Sequence, residues 1–355
     1  MSKLILVLNP GSTSTKLGIF KDTKNIKTET LRHDPKHIAM FKNVPSQKEF
    51  RKHAILDFLK KNKYKIQDFD CIMARGGLLH PIEGGVYTIN KKMVDDLNRG
   101  IYEEHASNLG AIIAYDYSQK YHIPAYIADP VVVDELEPIA RISGCPALPR
   151  LSKFHALNQK AVARRYAESI KKKYEQLNLI IAHMGGGISV GLHVNGRVID
   201  VNDALGGEGP FSPERAGGVP TFPLVELCYK KGKTKAEVKK MLVGKGGLVG
   251  YLGTSDVKTI MNQRKKNKKA DLVIRAMAYQ IAKEIGAMYF ANNCKCDQII
   301  LTGGIAYNKE FVNMIKNHIN RKIPITVYPG EDELLALATA GVRVLNKKVK
   351  AKTYK

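Results

Sequence analysis

Residues 4–16 read LILVLNPGSTSTK: five apolar residues, then asparagine, proline and glycine, a run of hydroxyls, and a lysine. A short apolar run that stops at Asn-Pro-Gly is a buried strand meeting a turn. The turn carries more than a reversal needs. Gly11 frees backbone amides, Ser12 to Thr15 supply hydroxyls, and Lys16 supplies a cation. A polyphosphate with its metal calls for that inventory. An ordinary hairpin also favours Asn-Pro-Gly, and the density of Ser and Thr is what tips the reading towards phosphate. This is not a Walker A loop, because neither GxxxxGKS nor GxxxxGKT occurs anywhere in the chain, so the P-loop class is set aside.

The same device recurs at residues 179–187, LIIAHMGGG, and at 298–304, QIILTGG. Around these junctions, periodicity predicts strands over 3–8, 16–20, 26–31, 70–74 and 125–128, with helices over 47–61 and 107–120. In the first of those helices Phe50, Ala54, Phe58 and Leu59 form the apolar stripe. The second half repeats the grammar. Strands fall at 179–183, 188–194, 197–201, 298–302 and 325–328, and helices near 222–231, 235–243, 271–292 and 331–346. Asn195-Gly196 between two of the strands is a type I′ hairpin signal. Three antiparallel strands followed by alternating helices and strands, used twice, is a duplication. The expected class is α/β, two βββαβαβα domains with a ligand cleft at the ends of their strands. The expected boundaries are 1–149 and 150–334, with the C-terminal helix 335–355 a candidate to complete the first domain.

Composition narrows the function classes. At 355 residues, with 44% hydrophobic and 25% charged residues, the chain suits two globular domains. No apolar run approaches the roughly 18 residues of a membrane span, and MSKLILVLNPG is too short a stretch for a secretory signal. Five sparse cysteines fit a reducing cytoplasm. Cys294-Lys295-Cys296 lacks the second pair that a zinc site needs. The net charge of +24 raises nucleic-acid binding. The excess is mostly lysine spread along helical segments, so solvated faces explain it better, and the positive field would steer anionic substrates.

Several blocks in chain order resemble the acetate and butyrate kinase family of the actin-like ATPase superfamily. They are NPGSTSTK, RGGLLHPIEGG, IADP, FHALNQKAVA, AHMGGGISVG, GEGPFSPERAGG, LTGGIAYN and YPGEDELLALA. ARGGLL, GEGPFSPERAGGVP and the compact length are closer to the butyrate branch. The resemblance implies duplicated actin-like (ribonuclease H-like) domains that bind ATP or ADP with Mg²⁺ and pass a phosphoryl group to a carboxylate.

Candidate residues follow from both lines. Phosphoryl transfer between two anions needs fixed cations. Arg75 and Arg215 qualify because each sits in a glycine-rich turn, not on a helix face. His183 precedes Gly185, Gly186 and Gly187, whose backbone permits close approach of a phosphate chain, and it is placed to donate to the group in flight. Asp129 closes a predicted strand just before Pro130. The span 187–191, GISVG, satisfies the hydrolase pattern GxSxG, but it leads into a strand and hairpin instead of a helix, so that reading is rejected.

The resemblance adds roles to particular positions. Gly11, Ser12, Ser14 and Lys16 would hold the phosphates, with Asn9 near the transferring group and His155 close by. Asp129, Asp332 and Glu333 would hold the metal, although the run Glu331-Asp332-Glu333 also suits a helix N-terminus. Gly303, Gly304 and Asn308 would face adenosine, with Gly303-Gly304 opening a helix, and Asp256 would stand opposite. Val86, Pro220 and Phe222 are the apolar residues beside the motifs where an acyl pocket is expected.

The expected activity is reversible, ATP-dependent phosphorylation of a short-chain fatty acid, butyrate foremost, by direct in-line transfer to give an acyl phosphate. Branched-chain, propionate or acetate kinases are the enzyme alternatives. An actin-like ATP-binding switch or a nucleic-acid binder is the alternative outside them. A cytoplasmic homodimer or higher oligomer is expected.

Overall fold

The computed structural model describes residues 2–320 and 322–355. In chain order the strands are β1 (Leu4–Pro10), β2 (Ser14–Lys21), β3 (Lys24–Arg32), β4 (Cys71–Ala74), β5 (Val86–Thr88) and β6 (Ala125–Ala128). Then follow β7 (Asn178–Met184), β8 (Ile188–Val194), β9 (Arg197–Val201), β10 (Gln298–Gly303), β11 (Ile325–Pro329) and β12 (Lys352–Thr353). Internal packing divides the chain into two units, one of Met1–Val133 with Asp332–Lys355, the other of Asp134–Glu331.

In the first unit the sheet order is β12-β5-β6-β4-β1-β2-β3. β1 is buried from Ile5 to Pro10, with only Leu4 partly exposed, because it lies between an antiparallel β2 and a parallel β4 with helices on both faces. Leu6 and Leu8 join the core that contains Leu109, Ile112 and Ile113 of helix Asn108–Tyr121. Ile5 and Met73 look the other way, where Gly341 of helix Glu333–Leu345 lies so close that a Cβ would stand 2.9 Å from Met73. β3, KNIKTETLR, is an exposed edge strand whose lysines and glutamate discourage further pairing.

In the second unit the order is β11-β10-β7-β8-β9. β7–β8 and β8–β9 are antiparallel, and β7–β10 and β10–β11 parallel. That is the pattern of β3-β2-β1-β4-β6, so the duplication is visible strand for strand. Leu179 and Ile181 pack with Val162 and Ala163 of helix Ala156–Ser169, whereas Ile180 and Ala182 face Ile274 and Ile281 of helix Lys268–Ala291. Asn195 and Gly196 both have positive φ, 50° and 83°, as the hairpin signal demanded.

Periodicity missed β5, β12 and, among the longer helices, Lys91–Arg99, Ala156–Ser169 and Val257–Gln263. The second of these helices buries Asn158, Gln159 and Lys160, so it carries no clean apolar stripe. The expected stripe of the 47–61 helix is also rotated: the buried residues are Arg51, Ile55, Phe58 and Leu59. An arginine occupies the core face, and its partners explain why.

Candidate functional site

In each sheet the first strand carries a polar residue as its second-to-last member: Asn9 in β1 and His183 in β7. Around Asn9, the parallel strands β1, β4 and β6 end side by side, which brings Asn9, Arg75 and Asp129 to one edge of the sheet. Asn9 is 3% exposed and donates from Nδ2 to Glu333 Oε2 at 2.7 Å. Arg75 donates to Asn9 Oδ1 at 3.4 Å and lies 3.2 Å from Glu333 Oε1. Asp129 is buried with φ of 38°, a conformation unusual for a residue with a side chain. Gly85 holds it there: the Asp129 amide donates to the Gly85 carbonyl at 2.9 Å, and the Gly85 amide donates back to Asp129 Oδ1 at 2.7 Å.

The loop after β1 is tighter than its motif suggested. β1 runs through Pro10 and β2 resumes at Ser14, leaving Gly11, Ser12 and Thr13 as a hairpin closed by Gly11 N–H donating to Ser14 O. Lys16 is exposed and registers opposite Asn9, so the two share a face. Underneath lies Arg51, fully buried, donating to Ser14 O (2.7 Å), Ser12 O (3.1 Å), Thr15 Oγ1 (2.8 Å) and Gln47 Oε1 (2.9 Å). Burial pushes its guanidinium down to about 10. The hairpin is therefore pinned by the carbonyls of Ser12 and Ser14 and by the Thr15 hydroxyl, while Ser12 and Thr13 themselves stay exposed.

In the second unit, His183 is buried, with Nδ1 2.8 Å from Asn158 Oδ1 and Nε2 3.1 Å from Glu331 Oε1. Its ring stacks on that of His155, centroids 3.7 Å apart and planes 10° from parallel. The glycine loop lets polar groups approach where side chains would stand. A Cβ on Gly185 would meet Glu331 Oε1 at 2.7 Å, and one on Gly187 would lie 2.0 Å from the Arg215 guanidinium. Arg215 donates to Ala204 O at 2.7 Å, and burial lowers its pKa. Ser212 donates to Gly186 O at 2.7 Å and fixes the loop's path. Gly303, at the end of β10, has φ of 90° and leaves no room for a Cβ against Met184 O, 2.3 Å away.

The remaining expected residues sit elsewhere in their elements. Gly304 begins a short 3₁₀ turn, Gly304–Tyr307, and the α-helix starts only at Lys309, where the Asn308 side chain accepts from Phe311 N. Asp256 is an exposed cap of helix Val257–Gln263, its pKa lowered mainly by the Thr259 hydroxyl. Within the acidic run the roles separate. Asp332 Oδ1 accepts from Leu335 N and caps helix Glu333–Leu345, the ordinary use of a carboxylate there. Glu331 bonds to His183 and Glu333 to Asn9 and Arg75, so of the acidic run expected at a metal, Asp332 caps its helix while Glu333 stands beside Asn9. The residues expected at a metal offer only oxygen donors: the Glu333 carboxylate beside the Asn9 amide, Asp129 just after β6, and the Asp332 carboxylate. Hard oxygen donors suit a small divalent cation that keeps its own waters. Val86 is buried in β5, while Phe222 is 86% exposed.

Sequence reasoning missed Arg51, Asn158, Gln159, Ser189 and Ser212. The only prior signal was that Asn158, Gln159, Ser189 and Ser212 fall inside motif blocks. Arg51 had none, because an arginine on a helix ordinarily reads as surface.

Comparison with known proteins follows from this geometry. The Acetokinase family model matches residues 149–341. The chain is 51% identical to a probable butyrate kinase of Clostridium botulinum (strain Alaska E43 / Type E3) over 355 residues, all of both chains. It is 52% identical to butyrate kinase 2 of Clostridium acetobutylicum over 352 residues, 99% of each. Among solved structures, Porphyromonas gingivalis acetate kinase superposes with a TM-score of 0.76 at 20% identity, covering 97% of this chain and 100% of its own. The fold is thus the duplicated actin-like one, and the chain, a phosphotransferase, belongs to the acetokinase family.

Proposed function

We propose that this protein is a short-chain carboxylate kinase, with butyrate its foremost substrate, converting ATP and the acid reversibly to ADP and an acyl phosphate. The observation that carries the chemistry is Arg215 laid over the side-chain-free Gly187, beside the stacked rings of His155 and His183. Such fixed donors stabilise the charge spread over a transferring phosphoryl group. Ser189, the serine of this cluster, is wholly buried, which argues against a phosphoserine intermediate and for direct transfer. A carboxylate oxygen attacks the γ-phosphorus in line, the bond to the bridging oxygen breaks, and ADP leaves with that electron pair.

In this reading Arg75 and Arg215 offset the repulsion between acid and nucleotide, and His183 and His155 donate to equatorial oxygens. Asn9, Gly11, Ser12, Ser14 and Lys16 hold phosphate oxygens, as do the amides of Gly185, Gly186 and Gly187. Gly303, Gly304, Asn308 and Asp256 frame the nucleoside. Asp129, Asp332 and Glu333 would hold Mg²⁺, which when bound supplies neutralising charge at the phosphates. The two packed units correspond to the two actin-like domains. The exposed apolar side chains Phe222, Val225 and Tyr229 on helix Thr221–Tyr229 support a homodimer, and the free cysteines support a reducing cytoplasm.

The test is hydroxamate trapping with ATP, Mg²⁺ and, in turn, acetate, propionate, butyrate and isobutyrate. Butyrate should give the highest kcat/KM. One methylene is worth about 0.8 kcal/mol, so propionate should trail by a few-fold. ATP hydrolysis with no hydroxamate from any acid would instead mark an actin-like switch.

A further inference from the structure

Behind His155 runs a chain of buried polar groups that phosphoryl transfer does not itself require. β8 presents Ser189, Gly191 and His193 on the face covered by helix Ala156–Ser169, since alternate strand residues share a face. Gln159 lies against all three. Its Nε2 is 3.1 Å from Ser189 O and 2.9 Å from Ser189 Oγ, and its Oε1 is 2.9 Å from His193 Nε2. A Cβ on Gly191 would sit 2.5 Å from that Oε1, so the second glycine of the GISVG motif makes room for the amide. Tyr174 OH lies 2.6 Å from His193 Nδ1 and closes the chain.

Donor and acceptor chemistry orders the protons along this chain. A backbone carbonyl only accepts, so the Gln159 NH₂ faces Ser189 and its oxygen faces His193. His193 must then donate from Nε2. Complete burial beside Lys160 and Arg164 keeps its ring neutral, so Nδ1 accepts from Tyr174. Ser189 Oγ receives the Gln159 amide at 2.9 Å and the His155 backbone amide at 3.5 Å. Its own proton has one acceptor in reach among the described residues, His155 Nδ1 at 2.9 Å. Leaving that hydroxyl unpaired at 0% exposure would be costly.

We propose that Tyr174, His193, Gln159 and Ser189 are positioning residues that lock His155 in the tautomer protonated at Nε2. His155 then offers a hydrogen-bond donor on its Nε2 edge, whose neighbouring Cε1 is 3.5 Å from the place of a Gly187 Cβ, beside Arg215. The other tautomer would turn a lone pair towards an anionic phosphoryl group. This role rests on the kinase reading; the tautomer itself does not.

The experiment is two-dimensional NMR of protein labelled with ¹⁵N-histidine, with the His155 ring assigned by loss of its signals in His155→Asn. The expected wild-type pattern has Nε2 protonated and Nδ1 bare. In Ser189→Ala the ring should shift to a tautomer mixture, and kcat should fall roughly tenfold while KM for ATP and butyrate changes little, as when one transition-state donor is weakened. A wild-type ring protonated at Nδ1 overturns the proposal with no variant needed. So does a Ser189→Ala protein that keeps the wild-type pattern, or one that changes tautomer with full kcat. The tautomer is read without turnover, so it stands or falls apart from whether acyl phosphate is made.

Discussion

Arg215 reaches the glycine loop because position 187 lacks a side chain, and its guanidinium is half-buried by that contact. A cation partly stripped of water acts more strongly on nearby charge than a solvated one. Arg215→Ala should therefore lower kcat by about 10²–10³, with circular dichroism and melting temperature near wild type. Turnover within a few-fold of wild type would remove the residue from the mechanism. His33 supplies a pH prediction. Its Nε2 is 2.8 Å from Thr15 Oγ1, which already accepts from Arg51, so the hydroxyl proton goes to a neutral ring. Burial first, then the Arg51 charge, depresses its pKa to about 4. The unfolded chain takes up that proton near 6.5 and the native state does not, so this contribution to stability is complete above 6.5 and declines as pH falls towards 4. Denaturation midpoints measured over that window should fall less steeply in His33→Gln.

The hairpin after β1 and the loop after β7 are built by opposite means. The first is held from below by Arg51 through carbonyls, the second by the absence of side chains. Arg51→Met removes donors from buried acceptors, but it also relieves the burial of a charge. A net loss of about 2 kcal/mol is expected in urea melts, with a raised KM for the nucleotide as the hairpin loosens. Gly303→Ala faces both a φ of 90° and a 2.3 Å approach to Met184 O, and should cost at least about 2 kcal/mol by the same measurement. These elements differ in legibility. The strands were readable because β1, β7 and β10 are nearly uninterrupted apolar runs ending in glycine or asparagine. Helix Ala156–Ser169 was not, because its buried face carries Asn158, Gln159 and Lys160, whose partners lie far along the chain.

At the scale of the whole chain, duplication puts polar side chains at the ends of matching strands. Asn9 is the second-to-last residue of β1 as His183 is of β7, and Asp129 comes one residue after β6 where Glu331 comes two after β11. The chain's surplus of 57 basic over 33 acidic residues should make encounter with anionic substrates depend on salt. Raising ionic strength from about 0.01 to 0.3 M shortens the screening length from roughly 30 Å to under 8 Å. kcat/KM for ATP should then fall several-fold with kcat nearly constant. A flat response would show that the surplus charge plays no part in substrate capture.

The linear order of residues was enough to establish the duplicated α/β architecture and its glycine loops, and to single out Arg75, Arg215 and His183 as candidates beside glycine. Each of these follows from local patterning: apolar runs, turn chemistry, and polar residues beside glycine. Tertiary structure alone decided which carboxylate serves which neighbour. Asp332 is drawn to its helix's free amide, while Glu331 and Glu333 bond to His183 and to Asn9 with Arg75. It also decided that Arg51 and Ser189 belong inside. A polar side chain is buried only where partners distant in sequence meet its hydrogen-bonding groups, and no local pattern records where those partners come to lie.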